Sequence, residues 1–476
     1  VSDTSTHSGL SFGGRLASRV RAAFGYDAAT ASSRRRSVSG RIKSEDMEHK
    51  QTDRDRLSAN MRDSVRNFAL AGWMIRKHLD YVADFSFAAR TDDPELNEHL
   101  EDLVTIWSRP QNCHSGGRHT LGALIRLAEA HRVIDGDVGL LKLRDGTVQP
   151  IEGDLIRSPR KIEDGQTWIN GVRVNARGRA VGYGIHRRNE SGRATEWATS
   201  VRARNLLLHG FFERFDQVRG ISPLASALDP LKDLRENFEY ALAKAKVSQL
   251  FSLVISSGGG QAWGQHTDLT PDETDANQKK YSVKFGTAPQ KLELDPGDDA
   301  KILESNQPSS EFQQFTESMI ELALKSLDLP TSFFAEHKSN FFGARAAWLH
   351  YERSCHAKRA SVQEILRKLT VWKLAQWQES GALELPTGTR LPDLAFEWVP
   401  RGTAWWDPLK EIKGEILAMG AGLDTPQRIC RSRGSDFYKN VDQTRKAMDY
   451  AAEAGVPLSF VVPPEPPPPP GQEPPE

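Results

Sequence analysis

The chain has 476 residues, 38% of them apolar and 26% charged, the make-up expected of a soluble protein of roughly two to four domains, since one core rarely serves this length. Lys plus Arg and Asp plus Glu both total 63, so the strong basic excess of a protein that clamps DNA is absent. No run of about 20 apolar residues is present, which excludes an ordinary membrane helix, and the N-terminal stretch lacks the apolar core of a secretory signal, so export is not expected.

Residues 1–53 are rich in Ser, Ala, Gly and Arg, carry the run Arg34, Arg35, Arg36 and show no sustained periodicity. They read as a mobile basic arm, with a solvated tail that binds nothing as the plain alternative. From Arg54 the spacing turns helical: Leu57, Met61, Val65, Phe68, Gly72, Ile75 and Leu79 form one apolar stripe. A second helix is expected from Asp93 and Pro94 to the Arg109–Pro110 step, and a third over 120–132. Short strand-like runs follow at 139–144, 148–156, 167–174, 180–187 and 205–212, separated by turn pairs such as Asn170–Gly171. Helices followed by a β-rich body make an α+β module over 54–221.

Ser222–Pro223 and Asp229–Pro230 are successive cap-plus-proline signals, and the second is expected to open a long helix at Pro230 within 222–250. The pattern breaks over 251–307 around Gly258, Gly259 and Gly260, and helical spacing resumes over 308–329 with Phe312, Phe315, Met319, Leu322 or Ala323, and Leu327. Two rods thus bracket a compact insert. A loop over 330–343 leads into the longest helix, 344–380, with Trp348, Tyr351, Cys355, Val362, Leu366 and Leu369 in one sector and a broken basic stripe, Arg345, His356, Arg359, Gln363 and Arg367, beside it. Within 381–403 a strand is expected to rejoin the β body. Helices then run through 404–460, divided near Gly420 and Gly434, and the Pro-rich 461–476 is expected to be extended or disordered.

Chemistry is poorly represented. No G-x-x-x-x-G-K-[ST] occurs, and the three glycines at 258–260 lack the lysine that a phosphate cradle needs. Cys113 lies beside His114 and near His119, and Cys355 lies beside His356 and near His350. Adjacent residues point in different directions, so neither set builds a dyad or zinc site unaided. With Cys430, these are the three cysteines; free thiols in a reducing compartment are expected. The acidic residues are dispersed among Lys and Arg instead of clustering for Mg²⁺. An enzyme, a cofactor and a metal are therefore not expected.

Two segments are the most distinctive: Arg214-x-x-Gln217-x-Arg219-Gly220 ahead of the first rod, and Asn340, Phe341, Phe342, Gly343, Ala344, Arg345, Ala346, Ala347 at the head of the long helix. Asp407–Pro408, Gly422–Leu423–Asp424–Thr425 and Gly434–Ser435–Asp436 follow. Their order resembles the lambda-type family of phage portal proteins, with Phe342–Gly343 where that family typically has two serines.

The resemblance covers roughly 57–454 and implies a wing, two stem helices, an intervening clip, a tunnel loop and a crown. It further implies assembly as a ring, usually dodecameric, at one capsid vertex, formed in the host cytoplasm and then resident in the virion. Double-stranded DNA would pass through the ring during packaging and ejection. The implied partners are further copies of the chain, the terminase large subunit, the major capsid protein and a head-tail adaptor or head-completion protein, with no membrane.

On that reading His337, Lys338, Ser339 and Asn340 of the tunnel loop and Arg345 of the helix face DNA, where sparse cations touch phosphates without clamping them. The plain alternative is that Lys338 only solubilises its loop. Arg214, Arg219, Phe341, Phe342 and Arg359 are candidates for contacts between subunits, and Asp298, Asp299 and Glu304 for clip contacts, against the alternative of solvated charges. The rival functions are another capsid-associated structural or nucleic-acid-binding protein and, at a further remove, a DNA-processing enzyme; mass in solution separates a ring from a monomeric binding module.

Overall fold

The computed structural model describes residues 42–192, 195–250, 253–257, 298–302, 310–335, 340–386, 388–402 and 407–458. The expected arm before residue 42, most of the insert, His337, Lys338 and Ser339 of the loop, Glu304 and the Pro-rich tail lie outside the described residues.

The first apolar stripe is not one helix. Helix α1, Gln51–Asn67, stops at Phe68, whose φ of −126° and ψ of 111° are extended, and α2, Ala69–Val82, starts anew. The break lets Met61 on α1 and Met74, Ile75 and Leu79 on α2 reach the same buried cluster. Phe68 fits the apolar spacing of both helices, so periodicity alone does not reveal the turn.

Strand β1, Phe85–Ala89, leads to α3, Pro94–Trp107, capped by Asp93 through the amides of Glu95 and Leu96. Thr120 caps α4, Leu121–Asp135, which ends at Gly136 with φ 92°. Strands β2, Asp137–Lys142, and β3, Val148–Glu152, come next. Then follow β4, Thr167–Ile169, β5, Val172–Val174, β6, Ala180–Arg188, β7, Thr195–Arg202, and β8, Leu206–Gly210. They form two antiparallel sheets, ordered β3-β2-β8 and β4-β5-β6-β7. The second sheet closes over its own small core of Ile151, Ile156, Val172, Val174, Tyr183, Ile185 and Leu206. Neither β1 nor β7 was expected from the pattern. Almost every residue of β7 is exposed or half-exposed, so it lacks the alternation that marks a half-buried strand.

Ser222 caps a 3₁₀ turn, Pro223–Ala227, that runs directly into α5, Leu228–Leu250. The helix thus opens before Pro230, which sits in the first turn where its missing N–H costs nothing. Leu231 and Leu234 are buried, whereas Phe238, Tyr240 and Leu242 further along are exposed. Beyond α5, β9, Leu253–Ser257, pairs antiparallel with β10, Asp298–Ile302. Helix α6, Ser310–Lys325, returns and packs on α5. It too is rooted at one end: Ile320, Ala323 and Leu324 are buried with Leu322 facing outward among them, while Phe315 further along is exposed.

The expected loop contains a short helical turn, Thr331–Phe334, anchored by Phe333 against Tyr81 and Tyr351 and by Phe334 against Trp73. Helix α7, Phe341–Glu379, then runs 39 residues, roughly 58 Å at 1.5 Å each. Tyr351, Cys355, Val362, Leu366 and Leu369 are buried along it.

Strand β11, Phe396–Pro400, does not rejoin the β body; it pairs antiparallel with β1, Phe87 opposite Trp398. The pair is fixed onto α7, because Trp398 Nε1 donates to Thr370 Oγ1 at 2.9 Å and Gln363 Nε2 donates to Trp398 O at 2.9 Å. Three helices follow: α8, Pro408–Gly420, α9, Pro426–Ser432, and α10, Phe437–Glu453.

Candidate functional site

The first distinctive segment forms a knot between the β body and the root of α5. Gln217 folds the segment on itself, its Nε2 donating to Phe211 O and Arg219 O while its Oε1 accepts from the amide of Glu213. Arg219, 1% exposed, forks onto Asp137, with Nε and Nη2 each 2.7 Å from a carboxylate oxygen. Its remaining protons go to Ile156 O, Asn170 O and Gly153 O, so the guanidinium is fully used. Arg54 reaches the same carboxylate at 3.3 Å and donates to Gly220 O at 2.7 Å.

Burial opposes the charge on Asp137, but Arg219 and Arg54 outweigh it and hold the carboxyl below its usual range. Burial and the neighbouring Arg219 cation bring Arg54 down to about 10. Gly220 and Gly136 cross in contact: a Cβ on Gly136 would lie 2.6 Å from Gly220 O. The expectation that Arg219 faces a neighbouring subunit is thereby corrected, since a side chain with five internal acceptor contacts inside the protomer has nothing left to offer outside it.

A second correction concerns Arg359. It is 5% exposed, donates to Tyr81 O at 2.6 Å and pairs with Glu352. With Arg359 buried and Gln363 bound to Trp398 O, the broken basic stripe on α7 keeps His356 and Arg367 exposed. Arg214 is half-exposed and pairs with Asp216 at 3.2 Å.

At the head of α7, Asn340 caps the helix, its Oδ1 accepting from Gly343 N at 2.7 Å. Helix capping therefore explains Asn340 in the second distinctive segment. A Cβ on Gly343 would sit 2.9 Å from that oxygen, so the cap favours glycine there. Phe341 and Phe342 occupy the first turn, 48% and 80% exposed. Arg345 Nη2 lies 3.3 Å from Glu411 Oε1 on α8, and Glu411 also pairs with Arg433. Asp298 and Asp299 stand on β10, opposite Ser257 and Ser256.

The structure also brings together residues that the sequence reading did not single out. Glu129, fully buried on α4, accepts from Arg132 and sits 2.8 Å from both His78 Nε2 and His209 Nε2. Burial disfavours its charge, yet the hydrogen bonds from His209 and His78 and the Arg132 cation hold it well below the ordinary carboxylate range. Burial pushes His78 down, and its Nδ1 has no partner, as suits a neutral ring whose Nε2–H donates to Glu129. The available signal was positional: Glu129 falls one helical turn from both Ile125 and Val133 on the buried side of α4.

The two buried thiols, Cys113 and Cys355, are not poised for chemistry. Burial raises Cys113 to about 11, and its Sγ donates to His119 O at 3.3 Å. Burial likewise raises Cys355. Among the described residues no group of His, Cys, Asp and Glu is arranged to hold a metal ion, and no helix is long and apolar enough to cross a membrane.

Comparison with known proteins gives consistent relatives. The portal protein of Escherichia phage N15 is 23% identical over 456 residues, with 83% of this chain and 84% of that protein covered. Portal protein B of Escherichia phage lambda is 22% identical over 453 residues, with the same shares. Among solved structures, a chain from the virion of a native gene transfer agent particle is similar with a TM-score of 0.45 and 16% identity, and one from the neck of an empty particle with 0.46 and 14%. In both, 84% of this chain and 93% of the other are covered. The sequence profile described as phage portal protein, lambda family, matches residues 32–359, most of the chain, and the chain therefore belongs to that family.

Proposed function

We propose that this portal protein works as a closed ring of identical copies, most simply a dodecamer, at one capsid vertex, and that double-stranded DNA passes through the ring on packaging and on ejection. The observation that carries the reading is the pair α5 and α6. Each is buried in its own subunit at the root and bare on apolar side chains further out, with Phe238, Tyr240 and Leu242 on one and Phe315 on the other, and Leu322 is exposed on the outward side of the α6 root. Exposed apolar surface of this kind calls for a covering partner, and in a ring the covering partner is the next copy.

On this reading α5 and α6 are the stem and the β9–β10 ladder is the base of the clip. The β body with α7 is the wing, and α8 to α10 are the crown. The terminase large subunit, and later the adaptor or head-completion protein, dock on the clip near Asp298, Asp299 and Glu304, and the major capsid protein surrounds the wing. His337, Lys338, Ser339, Asn340 and Arg345 line the tunnel side, while Arg214, Phe341 and Phe342 remain for contacts between copies. The ring assembles in the host cytoplasm and ends in the virion.

The test is the mass and the averaged electron image of the purified full chain. A ring with a central hole is expected; a monomer or dimer at micromolar concentration overturns the reading. For the tunnel, Arg345→Glu alone also breaks the pair with Glu411, so the swap Arg345→Glu with Glu411→Arg is the informative variant. Packaging is expected to fall for the swap and for Lys338→Glu while the ring persists, and unchanged packaging in both removes the tunnel assignment.

A further inference from the structure

The zero net charge of the chain conceals a segregated one. Between Arg157 and Arg204, the stretch that carries β4 to β7, there are eleven Lys and Arg against Glu163, Asp164, Glu190 and Glu196. The strand register gathers much of this excess at one end of the sheet. Val174 at the end of β5 pairs with Ala180 at the start of β6, and Gly182 pairs with Arg202 at the end of β7. The β5–β6 turn with Arg177 and Arg179 therefore lies beside Arg202 and Arg204.

That turn is built, with Asn175 Oδ1 accepting from the amides of both Arg177 and Arg179 at 3.0 Å. All four arginines are exposed, and among the described residues none has a carboxylate within ion-pair distance. Of the other cations on this stretch, Arg157 pairs with Asp55, Arg187 with Glu196, and Arg188 with Glu152 and Asp154, and Arg173 lies over the Trp168 ring, while Arg160 and Lys161 are exposed.

The geometry points to this end of the four-stranded sheet as a binding surface for the phosphate backbone of duplex DNA, independent of sequence and outside the tunnel. The cluster is made of guanidinium groups, whose planar forks match phosphate oxygens. The charges need no excess over the whole molecule, because beyond about 8–10 Å salt screens the compensating acids elsewhere. An acidic protein partner is the less favoured occupant, since a protein interface needs an apolar core. The large apolar side chains exposed on this stretch are the scattered Ile162, Val181 and Trp197. Trp197 is moreover engaged edge-on with Trp168 at 6.5 Å, its ring lying 2.9 Å from where a Cβ on Gly184 would stand. Glu163 and Asp164 precede β4 at the same end and temper the field without reversing it.

The experiment uses the full chain and a relaxed, covalently closed circular duplex, which cannot thread a preformed ring. Binding is measured across a NaCl series for the wild type, for Arg177→Gln/Arg179→Gln/Arg202→Gln/Arg204→Gln, and for Arg118→Gln, an exposed arginine away from this sheet. The four substituted side chains are exposed and have no ion pair among the described residues, so unchanged mass and circular dichroism are expected. The wild type is expected to bind, and the quadruple variant to bind roughly 10- to 100-fold more weakly at about 0.1 M salt, with a log–log salt slope smaller by about 3–4. Arg118→Gln is expected to bind the circle as the wild type does. No binding by the wild type, equal binding by the quadruple variant, loss of binding in Arg118→Gln, or capture of poly-glutamate in place of DNA would each overturn the inference. None of these outcomes bears on whether the chain forms a ring.

Discussion

Asp137 holds Arg219 and Arg54 in one buried contact, in which Arg219 makes the shorter bonds. Arg219→Ala is expected to cost about 3–5 kcal/mol, read as a lowered urea midpoint for the body, because Asp137 loses its two 2.7 Å donors and keeps only Arg54 at 3.3 Å, while Ile156 O, Asn170 O and Gly153 O lose the Arg219 donor. The Glu129 cluster makes a second prediction, in pH. His78 is held below its ordinary value of 6.5, so the stability from keeping it neutral is present above that pH and is lost as pH falls through its folded pKa. Glu129 is held below 4.5, so its share is present above that pH and lost only in stronger acid. The melting temperature should therefore hold near neutrality and fall as pH drops below about 6.5, steepening below about 4.5. Glu129→Gln should lower stability at pH 7 and flatten the acid limb, and an unchanged pH profile in that variant would refute the account. Arg219 stood out in the sequence, yet its role did not, because a motif marks a residue without saying whether it turns inward or outward.

Helices with polar caps were legible as elements: Asp93 with Pro94 and Asp407 with Pro408 each open a helix at the expected place. The β1–β11 pair was not, because its two strands are some 300 residues apart and each is short. The caps of the last three helices were readable, but not how those helices attach. Among the side chains of α8, α9 and α10 only Ala451 is buried, and ion pairs join this group to the rest: Arg90 with Asp436, Lys439 with Glu101 at 2.7 Å, Arg431 with Glu397 at 2.8 Å and Arg345 with Glu411. Exposed pairs contribute about 0.2–1 kcal/mol each and are screened by salt. Raising NaCl to about 1 M should therefore speed proteolysis between α8 and α10 well before the β body opens, whereas equal protection at low and high salt would show that apolar contacts carry the attachment.

At the scale of the molecule, the sequence disclosed the order of the parts because each long helix has its own period and its own stops. It did not disclose which apolar positions stay bare, since one stripe serves equally for a core and for a neighbour. Phe238 and Leu231 share the face of α5 that the spacing defines, yet Leu231 is buried and Phe238 is 44% exposed. Leu242→Asp with Phe315→Asp should leave the fold of the subunit unchanged and shift the mass from ring to monomer, because both side chains are solvent-facing in the isolated chain. A destabilised monomer in place of an intact one would assign these residues to the core.

The unequal ends of α5 carry a consequence for hydrogen exchange. Amides near Leu231 are locked by the body whether or not other copies are present, whereas those beyond Phe238 gain shelter only from whatever closes over Phe238, Tyr240 and Leu242. Deuterium uptake along a single helix should thus report assembly: a steep gradient from root to tip in the free subunit, and a nearly level profile once the copies have joined.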